Sequence, residues 1–237
     1  PTYNSNKELW NIADIDEKDV FEPSMDVIKN IISKCEEEKN DWDEFLIKTQ
    51  LYNKFKKDQN KPIQRIREED LINYYLFNFY NEKPVWKYDK EQPPRLGIVL
   101  DDCLNTDVMS RSKAGLTNLC CSHRHKCDGL GVSVFMLCQT YMTNQGGVPR
   151  VVRENATNLL LFKINQENQI KKIIEESDLP ITEDEFSDLL EYCHSEDHQF
   201  LMIDFASKSP SKMFRKGFNE YLIPKSLKNK DKPKNKI

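Results

Sequence analysis

Through the first ninety residues of this 237-residue chain, apolar side chains recur at intervals of three and four among charged ones. In "PSMDVIKNIISKCEEEK" the spaced positions are Met25, Ile28, Ile31 and Ile32, with Ser24 as candidate N-cap, and the pattern predicts an amphipathic helix. "DWDEFLIKTQLYNKFKKD" repeats it with Trp42, Phe45 and Leu46, and "REEDLINYYLFNFYNE" with Leu71, Ile72, Tyr75 and Phe79. Aromatic residues at this spacing read as helix-packing positions in preference to a base-stacking surface. The Pro-punctuated "EKPVWKYDKEQPP" then connects to a different pattern of short, unbroken apolar runs. These are "LGIVL", "GVSVFMLCQTY", "NLLLFKI" and "FLMIDF", the last two separated by helical patterns over 166–178 and 182–193. Such runs alternating with helices predict an α/β fold with a largely parallel sheet. The second of those helices carries a capping box, "TEDE", with Thr182 as N-cap and Glu185 three residues on.

The run "LGIVLDDC" ends in two acids, Asp101 and Asp102. An apolar run without polar alternation suits a parallel strand buried on both faces, and its carboxyl edge is where open α/β sheets bind ligands. A pair of carboxylates there is either a solvated turn or a Walker B element, in which Asp101 holds Mg²⁺ through water and Asp102 orients or deprotonates an attacking water. Composition narrows the setting. Hydrophobic residues make up 38% of the chain, and no apolar stretch approaches the ~18 residues that a spanning helix needs. No signal peptide opens the chain, and seven cysteines, an odd number with Cys103 and Cys138 inside apolar runs, suggest buried thiols in a reducing compartment. The net charge of −4 does not advertise nucleic-acid binding, although the end, "PKSLKNKDKPKNKI", sets six lysines against one aspartate.

The order of segments carries a resemblance. "PRLGIVLDDC", "LCCSHRHKCDGLGVSVFMLCQTY", "GGVPRVVRENATNLLLFKI" and "HQFLMIDFASKSPSKMFRKGF" together resemble the FtsK/HerA superfamily of P-loop motor ATPases. More narrowly, the chain looks like the genome-packaging ATPases of poxviruses and other large nucleocytoplasmic DNA viruses. The resemblance covers roughly residues 90 to 220, and "PTYNSN" at the start looks like the end of the family's second strand. It implies a P-loop NTPase of the RecA-like (ASCE) kind, a mostly parallel sheet flanked by helices, with a charged helical insertion. The implied organisation is a core remnant over 1–14, the insertion over 15–90, the C-terminal part of the ATPase core over 91–224 and a basic tail over 225–237. In that superfamily the strand after Walker B lies beside it, which makes Gln139 the implied sensor of the γ-phosphate and attacking water. Arg153 falls where the family has an arginine two positions before an asparagine, and the resemblance implies a finger reaching a neighbouring subunit's nucleotide; Arg150 is the second candidate. ATP and Mg²⁺ are the implied cofactors. Double-stranded DNA held by nonspecific phosphate contacts, a homo-oligomeric ring and viral capsid proteins are the implied partners, in the host cytoplasm or viral factory or with the virion.

Two features compete with this expectation. "CCSHRHKC" places Cys120, Cys121, His123, His125 and Cys127 close together, which would suit a zinc-stabilised, non-catalytic adaptor, but no second ligand pair stands at finger-like spacing. The family match instead sets Arg124 and His125 in the polar loop before the sensor strand. His194 and His198 read as structural or solvated. The phosphate loop itself is missing: none of the seven glycines belongs to a G-x-x-x-x-G-K-[ST] segment, which in the family precedes the second strand. The expectation is therefore a chain lacking Walker A and inactive alone, with a cellular or plasmid translocase of the HerA kind as the alternative within the same fold.

Overall fold

The computed structural model describes residues 7–24, 26–104, 106–109, 115–143, 146–163 and 167–228. "PTYNSN", Met25 and the tail beyond Lys228 therefore lie outside the described residues. The chain divides into two units, Pro1–Leu137 and Cys138–Ile237. That division falls inside the segment expected as one core, within the second apolar run and two residues before Gln139.

In the first unit, α1 (Lys7–Ile12) precedes α2 (Val27–Asp58), a single helix of 32 residues where the sequence pattern suggests two segments. At 1.5 Å per residue it is about 48 Å long. Its N-cap is Asp26, two residues beyond the expected Ser24. Ile28, Cys35 and Trp42, spaced by seven, are buried, as are Phe45 and Phe55 further along. At 3.6 residues per turn Phe55 lies about 140° round the helix from Trp42, so the two halves of α2 bury different sides against the returning chain, at two aromatic clusters. Trp42 and Phe45 pack against Trp86 of the Pro-rich connector, with Trp42 and Trp86 edge to face at 4.9 Å. Phe55 packs against Tyr74 and Phe79, which α3 (Glu68–Leu76) and its C-terminal turn deliver. On α3 the inward positions are Leu71 and Tyr74; Ile72 and Tyr75, expected to pack, are exposed.

The connector leads into β1 (Leu96–Asp101), followed by α4 (Leu116–Ser122) and β2 (Val132–Leu137). β1 and β2 pair in parallel, from Leu96 opposite Val132 to Asp101 opposite Leu137. Ile98, Leu100 and Val132 are buried, whereas Val99, Phe135 and Leu137 are each more than half exposed. One face of this parallel pair is thus covered and the other open, unlike a parallel sheet sandwiched between helix layers.

The second unit opens with the hairpin β3 (Met142–Thr143) and β4 (Gly146–Gly147), then α5 (Arg150–Glu154). β5 (Asn158–Leu161), α6 (Glu167–Ser177), α7 (Glu183–Cys193), β6 (Leu201–Asp204), β7 (Phe214–Lys216) and β8 (Glu220–Leu222) follow. The last four strands form one sheet in sequential order, and every neighbouring pair is antiparallel. The expectation of a largely parallel sheet thus holds for β1–β2 and fails here. The reason is the connection: one helix between two strands returns the chain to the end where it started, while two helices carry it across again. With both α6 and α7 between them, β5 and β6 run in opposite directions. Ile173, Phe186, Leu190 and Cys193 of the helices bury against Leu161, Leu201, Ile203 and Phe214 of the sheet. The capping box at Thr182 forms as the sequence predicts, with Thr182 Oγ1 accepting from Glu185 N–H and Glu185 Oε2 accepting from Thr182 N–H. The protein is therefore mixed α/β, with a small parallel sheet and a separate antiparallel one.

Candidate functional site

Asp101 is the last residue of β1 and is half-buried; Asp102 follows it at the carboxyl edge and is exposed. Asp102 has φ +49, in the left-handed region where an L side chain crowds the following carbonyl and where Asp is among the better tolerated residues. This turn breaks the alternation by which neighbouring strand residues point to opposite faces. The chain beyond it is pinned by Thr106 Oγ1, which donates to Cys103 O at 2.7 Å, and by Cys103 Sγ, 3.3 Å from Asp101 O. Burial raises the Cys103 thiol above its ordinary value, and the charge of Asp101 raises it further. Among the described residues, neither aspartate carboxylate takes an ion pair or a side-chain hydrogen bond. Two hard oxygen donors at a strand edge are the donor type that suits a hydrated Mg²⁺, which keeps most of its waters and needs only one or two carboxylates. The phosphates of a nucleotide are another matter. With no G-x-x-x-x-G-K-[ST] in the sequence, the residues present do not fit them.

The remaining expected site residues belong to the second unit. Gln139 follows β2 by two residues in the chain and is exposed. Arg153 is not an open side chain. Its guanidinium forks onto Glu176 of α6, Nε and Nη2 donating to the two carboxylate oxygens at 2.8 Å each, while Nη1 donates to Val148 O. It also lies 5.2 Å from the Tyr141 ring centroid, and its side chain is only 8% exposed. This arginine ties α5 to α6 and to the segment leading into β3. Arg150, one turn earlier, is exposed and pairs along its own helix with Glu154 at 2.7 Å.

The Cys/His segment does not converge. Cys120 is buried in α4 and Cys121 is exposed, and the ring Nδ1 of His123 bonds Cys120 O at 2.8 Å. His125 is exposed, and Cys127 is buried. Among the described residues no three His, Cys, Asp or Glu side chains gather as a metal group. Of the two readings for His194, structural or solvated, the structure gives the first, its Nε2 lying 3.0 Å from Leu161 O. Cys138, expected to be buried, is exposed.

Sequence reasoning overlooked a buried charge network in the helical region. Asp58 receives hydrogen bonds from Lys61 at 2.7 Å and from the Tyr74 hydroxyl at 2.8 Å. Asp70 receives them from Lys54 at 2.6 Å and from the Arg67 fork at 3.0 and 3.2 Å. These partners hold the Asp70 carboxyl down at about 2 and also lower Asp58, where Lys61 contributes most. The local signal was Arg67 three residues before Asp70, one helical turn away. Among the described residues no helix is long and apolar enough to cross a membrane. Comparison of the chain with protein-family models, with curated proteins and with solved structures finds no match.

Proposed function

We propose that this chain supplies the magnesium- and water-handling strands of a P-loop motor ATPase that packages double-stranded DNA. The observation that carries the reading is the parallel pairing of β1 with β2, which sets Asp101 and Asp102 at a carboxyl edge beside the strand that leads to Gln139. Asp101 would hold hydrated Mg²⁺, which supplies positive charge to phosphate oxygens when bound. Asp102, exposed on its left-handed turn, accepts a proton from the attacking water. The finger is Arg150. Arg153 is committed to Glu176, whereas an exposed i, i+4 pair such as Arg150–Glu154 is weak and readily exchanged for phosphate.

The phosphate loop comes from sequence other than Pro1–Ile237, and the antiparallel sheet of the second unit is an addition to the nucleotide-handling strands. Assembly as a ring, capsid proteins as docking partners and work in the host cytoplasm or viral factory belong to the same reading, through the resemblance. DNA contacts are to phosphates and independent of sequence. The test is DNA-stimulated ATP hydrolysis by the product of the whole reading frame that encodes this chain. Asp102→Asn is expected to lower kcat by about a hundredfold or more with the protein still folded. Hydrolysis unaffected by that change, or no hydrolysis by the wild-type product, overturns the reading.

A further inference from the structure

The helical layer and the strands of the second unit carry opposite charge. Residues 167–197, which span α6 and α7, hold eleven acidic side chains against two lysines, whereas 198–237 hold ten lysines and arginines against three acids. One face of the antiparallel sheet packs on α6 and α7. Strand alternation sends Leu160, Met202, Arg215 and Tyr221, neighbours in register across the four strands, to the other face. Two residues along from Leu160 and Met202, Phe162 and Phe200 share that face with their ring centroids 5.1 Å apart. Phe218 of the β7–β8 turn stands edge-on to Phe200, also at 5.1 Å. Phe162, Phe218 and Tyr221 are 52%, 62% and 49% exposed, and Ile223, two residues beyond Tyr221, is exposed beside them. The Arg215 guanidinium lies 4.7 Å from the Tyr221 ring centroid and is steadied by Asp204, to which Nη2 donates at 3.0 Å. Lys163, Lys208, Lys212, Lys225 and Lys228 border these strands, are exposed, and take no ion pair among the described residues. Lys216 differs: it pairs with Glu196 at 2.7 Å and lies over the ring of Tyr192 of α7.

We propose that this open face is a docking surface for single-stranded DNA, with unpaired bases stacked on Phe162, Phe218 and Tyr221 and phosphates held by Arg215 and the bordering lysines. Every base has a π-face, so stacking on an exposed ring tolerates any sequence, and a guanidinium laid on a ring adds a second flat, charged contact. A duplex keeps its bases stacked on one another and has none to offer. The surface therefore discriminates between strand states, which phosphate contacts alone do not. Charge selects the class of partner. An apolar sheet face by itself fits a protein equally well, but cations bordering this one, set against an acidic helical layer behind it, direct a polyanion to it. The aliphatic members of the face, Leu160 and Ile223, suit thymine's methyl group and offer nothing to a 2′-hydroxyl, which favours DNA over RNA. The inference stands independently of the ATPase reading, since it uses neither Asp101 and Asp102 nor a nucleotide.

The test is fluorescence anisotropy of a labelled oligothymidylate of about 20 nucleotides titrated with the full chain at about 50 mM salt, with unlabelled duplex and oligouridylate of the same length as competitors. The expected result is saturable binding that weakens as salt rises. Phe218→Ala and Tyr221→Ala are each expected to lower affinity by about tenfold with unchanged melting curves, and neither duplex nor oligouridylate is expected to compete as well as oligothymidylate. Binding that both substitutions leave unchanged overturns the proposal, because phosphate contacts alone then hold the strand. Equal competition by duplex or RNA, or no binding at all, overturns it too, as does self-association in light scattering that Tyr221→Ala abolishes, which would give the face to a second copy of the chain. Should either variant fail to fold, photocrosslinking of a bromodeoxyuridine-substituted strand to the wild-type chain decides: adducts on the peptides carrying Phe162, Phe218 or Tyr221 support the proposal, and adducts confined to other segments overturn it.

Discussion

Replacing Asp70 by Asn removes the carboxylate that accepts from Lys54 and Arg67, and the consequence depends on pH in a defined direction. A carboxyl held at about 2 in the folded protein, against an ordinary 3.8, stabilises the fold at neutral pH by roughly 2 kcal/mol before screening. Lys54 and Arg67 are 39% and 69% exposed, so solvent weakens both interactions and about 1 kcal/mol is the expected net loss. Because the folded value is depressed, the stabilisation is present above pH ~4 and disappears as pH falls toward 2. All three tryptophans, Trp10, Trp42 and Trp86, lie in the first unit, so their fluorescence in a urea titration reports the unit that contains Asp70. Asp70→Asn should lower stability by about 1 kcal/mol at pH 7 and match the wild type near pH 2. An equal loss at both pH values would show that the carboxylate's charge is not what matters, and no loss at pH 7 would show that the network is not formed.

Phe186 is fully buried between α7 and the antiparallel sheet, so Phe186→Ala should cost about 3–5 kcal/mol, read by circular dichroism of thermal unfolding. Thr182→Ala removes an acceptor for Glu185 N–H and half of a capping box; a loss of about 1 kcal/mol is expected, and an unchanged melting temperature would mean that α7 does not depend on its cap. Arg153→Lys keeps the charge and loses the fork onto Glu176, so it should lower the melting temperature, whereas Arg150→Lys should leave it unchanged.

Periodicity located most of the elements, because the forces that set it are local. Helices expected over 166–178 and 182–193 occur as α6 and α7, and the capping box at Thr182 is present. Strand direction was less accessible, since it depends on how many times the chain crosses between strands. One helix precedes β2, giving a parallel pair, and two precede β6, giving an antiparallel one; both helical patterns were visible, and their number carried the answer. Side-chain register on α3 was misjudged because Tyr74, and not Tyr75, reaches the Asp58 carboxylate, a partner sixteen residues away. For the candidate site, the Asp-Asp pair and its strand were legible from one unbroken apolar run. The Arg153–Glu176 fork joins residues far apart in sequence, and nothing in their local pattern announces it.

The proposal of a motor ATPase requires a phosphate-binding loop to accompany Asp101 and Asp102. The most direct measurement is the nucleotide sequence of the whole reading frame that encodes Pro1–Ile237, read in frame upstream of Pro1. The expected result is a strand-forming apolar run followed by G-x-x-x-x-G-K-[ST]. A complete reading frame without that loop contradicts the proposal, and leaves the two aspartates as the solvated end of a parallel strand.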